Sequence, residues 1–405
     1  MKSQALLRPG TTCLTRAATL LWAMAAGCIA EPTTDSHSGA AVEPVRVRLG
    51  QFNIREMTTA KLLNEDDRQV RAAAEILSRF APDILSINEL QFDLEGVPEA
   101  GLPGAPAGTL PGSACEGKNA RRLADRLEAL HPELRYPYTV VALGNSGLPF
   151  EATGELPPEL LQRGFGEFPG RFNVALVSRF PILHDQVRVI HDFPWRQLPG
   201  NRLAQVEEET GIVVPDDFPL FEKALVIVPV DVDGVTLHVI LVHPVSSGFN
   251  DMNPHRNHDE LRGVSLFLDG ALPGVEPLPA GARFVIVGDL NADPEDGEGI
   301  AGAVAQLYEH PLVVAHFASG EGGTAGMHPE RNSFLSGCGK GDGTIVQNPA
   351  SRLQLQLDYV LPSVTIGAPV ASGLFFPSHV ESWDDYVLAC TASDHRFVWA
   401  DVDLK

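Results

Sequence analysis

Eight polar residues stand at the ends of short apolar runs: Asn53, Glu89, His243, Asp289, Asn291, Asp358, Asp394 and His395. Their types suit two tasks. Carboxylate and amide oxygens can hold a hard divalent cation, with Mg²⁺, Mn²⁺ or Ca²⁺ fitting an all-oxygen set better than a structural zinc. A histidine with a carboxylate partner can take a proton from water, because its pKa lies near the working pH. Singly, none of them says much. An isolated Glu after a strand is usually an exposed loop acid, His243 alone reads as a loop histidine, and Gly288-Asp289 alone reads as a turn.

The elements that must position these residues follow from hydrophobic patterning. Val45, Val47 and Leu49 alternate with Arg46 and Arg48, a strand leading into Gln51-Phe52-Asn53-Ile54. Apolar residues at helical spacing predict a helix over 65–80 stopped by Pro82, and another over 119–130. Ile84–Ile87 is a short buried strand ending on Asn88-Glu89, and Val174–Val177 is a further strand. Residues 224–232 and 235–242 alternate around Asp233-Gly234, a hairpin that delivers His243. Arg283–Val287 runs into Gly288-Asp289, apolar residues flank Asp358, and Phe397–Ala400 follows Asp394-His395. Segments 92–118 and 319–349 read as loop insertions, the first dense in Gly and Pro.

The strings around the eight residues occur in a familiar order: Gln51-Phe52-Asn53-Ile54-Arg55, Ile84-Leu85-Ser86-Ile87-Asn88-Glu89, Gly288-Asp289-Leu290-Asn291-Ala292-Asp293, Asp358-Tyr359-Val360 and Ser393-Asp394-His395. Together they resemble the endonuclease/exonuclease/phosphatase superfamily over 46–405. The strings Phe168–Ile182 and His243-Pro244 followed by Arg256–Arg262 look like a group of its secreted bacterial members. The resemblance implies an α/β fold: a four-layer α/β sandwich of two packed, mainly antiparallel β-sheets flanked by helices, one domain with long loop insertions. It implies Glu89 and Asp394 as metal carboxylates, with Asn53 positioning the cation. Asp289 and Asn291 would orient the attacking water and contact the phosphate. His395, held in its tautomer by Asp358, would be a general base or phosphate contact. His243 matches a second histidine, and Arg55, Asn291 and His243 are expected on the substrate.

Residues 1–27 carry Lys2, Arg8 and Arg16, then an apolar run ending at Gly27-Cys28, which is the pattern of a secretory signal. Ala25-Ala26-Gly27-Cys28 also resembles a lipobox, so both simple secretion and an N-terminal lipid anchor on the cell envelope are open. Residues 28–45 read as a tether. Losing three cations takes the net charge from −22 to −25, which argues against sequence-blind nucleic-acid binding through a basic surface. Of five cysteines, Cys115, Cys338 and Cys390 remain past the leader and tether, enough for one disulfide whose members spacing does not choose. His255 and His258, three apart, could hold a metal; Arg256, His258, Asp259, Glu260 and Arg262 read preferentially as a solvated helix face. Gly320–Gly326 lacks the Lys-Ser/Thr of a P-loop and reads as flexible loop, and no Gly-x-Ser-x-Gly elbow is present. The expectation is an exported, Mg²⁺-dependent (or Mn²⁺- or Ca²⁺-dependent) phosphoesterase. Its substrate would be DNA, RNA or a smaller phosphodiester, with nuclease activity favoured and no obligate protein partner evident. Phospholipid, sphingomyelin or small organic phosphate cleavage is the alternative, and a non-catalytic surface lipoprotein the alternative of another class.

Overall fold

Alternation along the strands decides the layers. In chain order the strands are β1 Val45–Met57, β2 Ile84–Leu90, β3 Tyr138–Ala142, β4 Asn173–Ser178, β5 Arg188–Ile190, β6 Leu225–Val232, β7 Val235–Leu241, β8 Arg283–Asp289, β9 Phe334–Leu335, β10 Gln354–Leu355, β11 Asp358–Pro362, β12 Ala371–Leu374 and β13 Val398–Leu404. The helices are α1 Thr59–Leu63, α2 Arg68–Phe80, α3 Asn119–Leu130, α4 Leu203–Thr210, α5 Asn253–Leu268, α6 Ala305–Tyr308 and α7 Trp383–Ala392. This computed structural model describes residues 44–94, 97, 117–152, 154–339, 341 and 344–405. The leader, the tether up to Glu43, most of the 95–116 insertion and Cys115 lie outside the described residues.

Six strands form one sheet in the order β12-β13-β1-β2-β4-β3, and five form a second in the order β11-β8-β7-β6-β5. Neighbours are antiparallel except β1 with β2 and β7 with β8. Val47, Leu49, Val174 and Leu176 from the first sheet and Val226, Val228, Val239 and Val287 from the second share one buried cluster between the sheets. The opposite faces are covered too. Val70, Ala73 and Leu77 of α2 and Leu123 and Leu127 of α3 pack with Leu85 and Ile87, while Leu261, Val264 and Phe267 of α5 pack with Leu225, Ile227 and Ile240. The result is helix, sheet, sheet, helix. Full burial of each such side chain contributes roughly 1.5–3 kcal/mol, so both sheets read as apolar on both faces.

Local signals hold. Asp67 caps α2 by accepting from the Val70 amide, and the helix ends on Ala81 in the left-handed region just before Pro82. Asp233 and Gly234 both have positive φ, 50° and 87°, in the β6–β7 turn. Among the described residues no helix is long and apolar enough to cross a membrane.

Three expectations are corrected or completed. The charged run on α5 is not a solvated face: Arg256, Asp259 and Glu260 are buried, 3%, 0% and 1% exposed. Helical periodicity puts Arg256, Asn257 and Glu260 in the same stripe as Leu261, Val264 and Leu268, so they turn towards the second sheet. Asp259 accepts from Trp195 Nε1 at 2.6 Å and from the Arg202 amide at 2.7 Å. The stretch Gly320–Gly326 is packed against neighbouring chain instead of projecting as a free loop; a Cβ on Gly323 would meet the Pro329 carbonyl oxygen at 1.7 Å. The disulfide is Cys338–Cys390, which ties the loop after β9 to α7.

Candidate active site

The inward rows change character at one end of the sandwich. On β1, Val47 and Leu49 are followed by Gln51 and Asn53; on β2, Ile84 is followed by Ser86 and Asn88. On β7 the row Leu237, Val239, Leu241 points to His243, and on β8 the row Val285, Val287 ends on Asp289. β11 pairs with β8 so that Asp358 lies opposite Asp289, and the β1–β2 register sets Asn53 beside Asn88. Period two thus carries five segments' polar side chains into the space that hydrophobic residues fill elsewhere.

Asp289 is the hub. Its Oδ2 accepts from Asn53 Nδ2 at 2.9 Å and lies 3.6 Å from Nε2 of both His243 and His395. Its Oδ1 accepts from the Asn291 amide at 2.9 Å, and its own amide donates to Asn88 Oδ1. The Asn53 amide nitrogen also donates to Glu89 Oε1 at 3.0 Å, so one side chain bridges the two carboxylates. His395 Nδ1 donates to Asp358 Oδ2 at 2.8 Å; Asp358 also accepts from Ser333 Oγ and Gln51 Nε2. Arg55 pairs with Asp394 at 2.7 Å and also donates to the Cys338 carbonyl.

Backbone strain gathers here. Arg55, Glu56, Glu89 and Asn291 are non-glycine residues with φ of 45°, 50°, 64° and 49°. Such conformations each cost of order 1–3 kcal/mol and persist where the surroundings impose them. The β1–β2 register slips after Asn53 and Asn88, a bulge that re-aims Glu89. Gly288 permits a close approach: a Cβ there would stand 1.9 Å from the Val242 carbonyl oxygen, so β8 runs against the chain that carries His243. Behind Asp394, a Cβ on Gly339 would meet the Asp394 nitrogen at 2.1 Å, and the Gly339 amide donates to the Cys390 carbonyl. The disulfide loop therefore backs Ser393-Asp394-His395.

Electrostatics separates groups of the same kind. Burial pushes the Asp289 carboxyl up to about 7, with Asp358 adding to the shift and His395 opposing it. Burial raises Asp394 to about 6, helped by the charge of Glu89 and opposed by His395 and Arg55. For His395, burial lowers the pKa, but the carboxylates of Asp358, Asp289 and Asp394 outweigh it and carry it to about 10. His243 moves well below the usual range because it is buried and faces the charges of Lys223 and His395. One histidine is an imidazolium at neutral pH and the other a neutral ring.

The structure thus brings together Asn53, Glu89, His243, Asp289, Asp358, Asp394 and His395. Asn291 sits beside them with its side-chain amide donating to the Pro244 carbonyl, and Arg55 is engaged by Asp394. His255 and His258 do not form a metal pair: His255 bonds Arg202 and Glu209, and His258 bonds Asp259. Sequence reasoning missed Gln51, Asn88, Ser333 and Ser393, which hold the site's side chains and backbone, and Lys223, buried beside Glu222. The signal for the first two was present, since both fall in the inward rows. Among the described residues no three His, Cys, Asp or Glu side chains form a ready-made metal cage. The oxygen-only pair Glu89 and Asp394, both partly exposed, still fits a cation of the Mg²⁺ type, which keeps most of its waters and takes one or two protein carboxylates.

Two packed sheets with carboxylates, amides and histidines converging at one end form the frame on which the sequence comparison bears. The chain belongs to the Endonuclease/Exonuclease/phosphatase family, whose profile matches residues 50–395; members are phosphoester-cleaving hydrolases that generally use divalent metals. No curated protein matches the sequence. Among solved structures, an endonuclease/exonuclease/phosphatase from Beutenbergia cavernae is 20% identical with a TM-score of 0.49, covering 89% of this chain and 72% of that one. Sphingomyelinase C from Streptomyces griseocarneus is 16% identical with a TM-score of 0.46, covering 89% of this chain and 100% of that one. TDP2 from C. elegans is 13% identical with a TM-score of 0.42, covering 88% of this chain and 75% of that one.

Proposed function

We propose that the protein is an exported, divalent-metal-dependent phosphodiesterase that cleaves nucleic acid by direct attack of water. The observation that carries this reading is the Asn53 bridge: one buried amide links Glu89, on the partly exposed side, to Asp289 Oδ2, which lies 3.6 Å from two histidines. On this reading Glu89 and Asp394 form a cation-binding side, and Asp289 with its histidines a proton-handling side, of one hydrogen-bonded unit. Glu89 and Asp394 would hold a divalent cation, which would supply positive charge against the phosphoryl oxygens. Asp289 takes the proton of a water whose oxygen forms the new bond to phosphorus as the bond to the leaving oxygen breaks. His395, charged and fixed by Asp358, donates a hydrogen bond to the phosphoryl group, and Asn291 and neutral His243 complete the contacts.

A lipid phosphodiester is the second reading, and one observation favours it. Phe249, in the loop six residues past His243, is 95% exposed with φ of 78°, an apolar side chain held outward near the site. The N-terminal leader supports export, and Cys28 supports a lipid anchor. The test compares plasmid DNA, bis-p-nitrophenyl phosphate, p-nitrophenyl phosphate and sphingomyelin vesicles with Mg²⁺, Mn²⁺ or Ca²⁺, against chelator, with Asp289→Ala as the blank. DNA cleavage abolished in the variant supports the proposal, and turnover of vesicles alone moves the protein to the lipid reading. No turnover of any substrate favours a non-catalytic surface protein.

A further inference from the structure

We infer that one turn of α5 is the positioning frame of this site, with Asn257 the residue on which the alignment of the His243 segment against the Asp289–Asn291 segment depends; the catalytic half of this inference rests on the function proposed above. The parallel register of β7 and β8 ends at Leu241 and Val287, and the last ladder bond beyond it is Val242 N–H to the Val287 carbonyl. Past that point the two chains carry His243, Asp289 and Asn291 with no sheet bond between them. Two direct links cross the gap, Asn291 Nδ2 to the Pro244 carbonyl at 3.0 Å and Ser247 Oγ to the Asn291 carbonyl at 3.3 Å, and Asn257 braces both segments from behind. Its side-chain nitrogen donates to the Val245 carbonyl at 2.8 Å and the Leu290 carbonyl at 3.0 Å, with the Asn291 carbonyl at 3.4 Å. An amide nitrogen has two hydrogens, and the two short contacts use them on the two different segments.

The neighbours on the same turn do related work. Glu260 Oε1 accepts from the Val245 amide at 3.1 Å, so both backbone groups of Val245 are held from α5. Arg256 donates to the Leu220 and Pro219 carbonyls at 2.9 and 3.0 Å, holding the chain that leads to Lys223. All three side chains are buried. The rest of this stripe is Leu261, Val264 and Phe267, and apolar residues would pack there without the desolvation cost of an amide, a guanidinium and a carboxyl group. Asn257 and Glu260 are spent on the main chain of segments that deliver site residues, and Arg256 divides its bonds between the chain leading to Lys223 and the Arg163 carbonyl.

The test uses Asn257→Ala and Asn257→Asp in the full chain, with Asn257→Ser, which keeps one donor, should the alanine variant not fold. Backbone hydrogen exchange and turnover of bis-p-nitrophenyl phosphate with Mn²⁺ are measured together. Exchange is expected to quicken at 243–247 and 289–292 jointly, with β7, β8 and the body of α5 unchanged. kcat should fall about 10²-fold, the effect of an ångström-scale misplacement, with KM within about threefold. Faster exchange confined to α5, or spread over the whole molecule, overturns the inference, as does faster exchange at both segments with kcat unchanged. Should the wild type turn over no phosphoester, the functional proposal falls while the exchange pattern still decides the positioning claim.

Discussion

The site has two unlike sides built from the same residue types. At the ends of β1 and β2 and before β13, Glu89, Asp394 and Arg55 are partly exposed; Glu89 and Arg55 have positive φ, and Arg55 pairs with Asp394. At the ends of β7 and β8 and the start of β11, His243, Asp289 and Asp358 are buried and held by Asn53, Asn88, Ser333 and Gln51, and His395 is buried with them. A partly exposed carboxylate can meet a cation that arrives with its waters. Burial pushes Asp289 up to about 7, and it raises Asp394 on the other side to about 6. Access to solvent, more than residue identity, distinguishes the two sides.

Three perturbations should separate the sides. Exhaustive chelation acts on the open side: turnover should be lost altogether and the melting temperature should fall, since a ligand present at 100 times its Kd stabilises by about 2.7 kcal/mol. Full activity in chelator would remove the cation from the scheme. Asp289→Ala and His395→Ala act on the closed side, and should lower kcat by roughly 10²–10⁴ while circular dichroism and cation-induced stabilisation persist. Loss of that stabilisation in both variants would mean that the two sides are one. Asn53→Ala cuts the bridge itself. It should cost about 10–100-fold in activity or cation affinity, read by steady-state kinetics and by the cation titration of the melting temperature. An effect on kcat alone would assign Asn53 to Asp289, and an effect on cation affinity alone would assign it to Glu89.

Much of this arrangement was legible in the chain. Strands and the main helices followed from period-two and helical spacing, and the β6–β7 turn from Asp233-Gly234. The eight polar residues could be picked out because they sit at strand ends within strings that, taken together, resemble one family. What could not be read was context. Spacing alone did not choose Cys338 and Cys390, because pairing depends on α7 lying beside the loop after β9. The charges on α5 were misassigned because charge density outweighed periodicity in the reading, although Arg256 and Glu260 fall in the stripe of Leu261 and Val264. Lys223 gave no signal, since its burial beside Glu222 and its effect on His243 arise from the fold.

Glu260 extends the contrast to the rear of the closed side and gives the most graded effect. Burial raises its carboxyl to about 8; Glu222 adds to the shift, while Arg256, the Val245 amide and Lys223 oppose it. These are the charged groups that face it, Arg256 from the same helix and Glu222 and Lys223 from the chain entering β6. Its folded pKa lies above the ordinary value of 4.5, so between pH 4.5 and about 8 the folded protein holds a proton that the unfolded chain has lost. Stability from this group is fully present below pH 4.5 and declines as pH rises through that window, by up to about 1.4 kcal/mol per pH unit for one proton. Glu260→Gln keeps an oxygen for the Val245 amide and removes the titration. Thermal melts from pH 5 to 8 should therefore show the variant gaining on the wild type as pH rises. Parallel curves would show that Glu260 stays ionised in its pair with Arg256, and that the closed side keeps a buried charge as readily as the open side does.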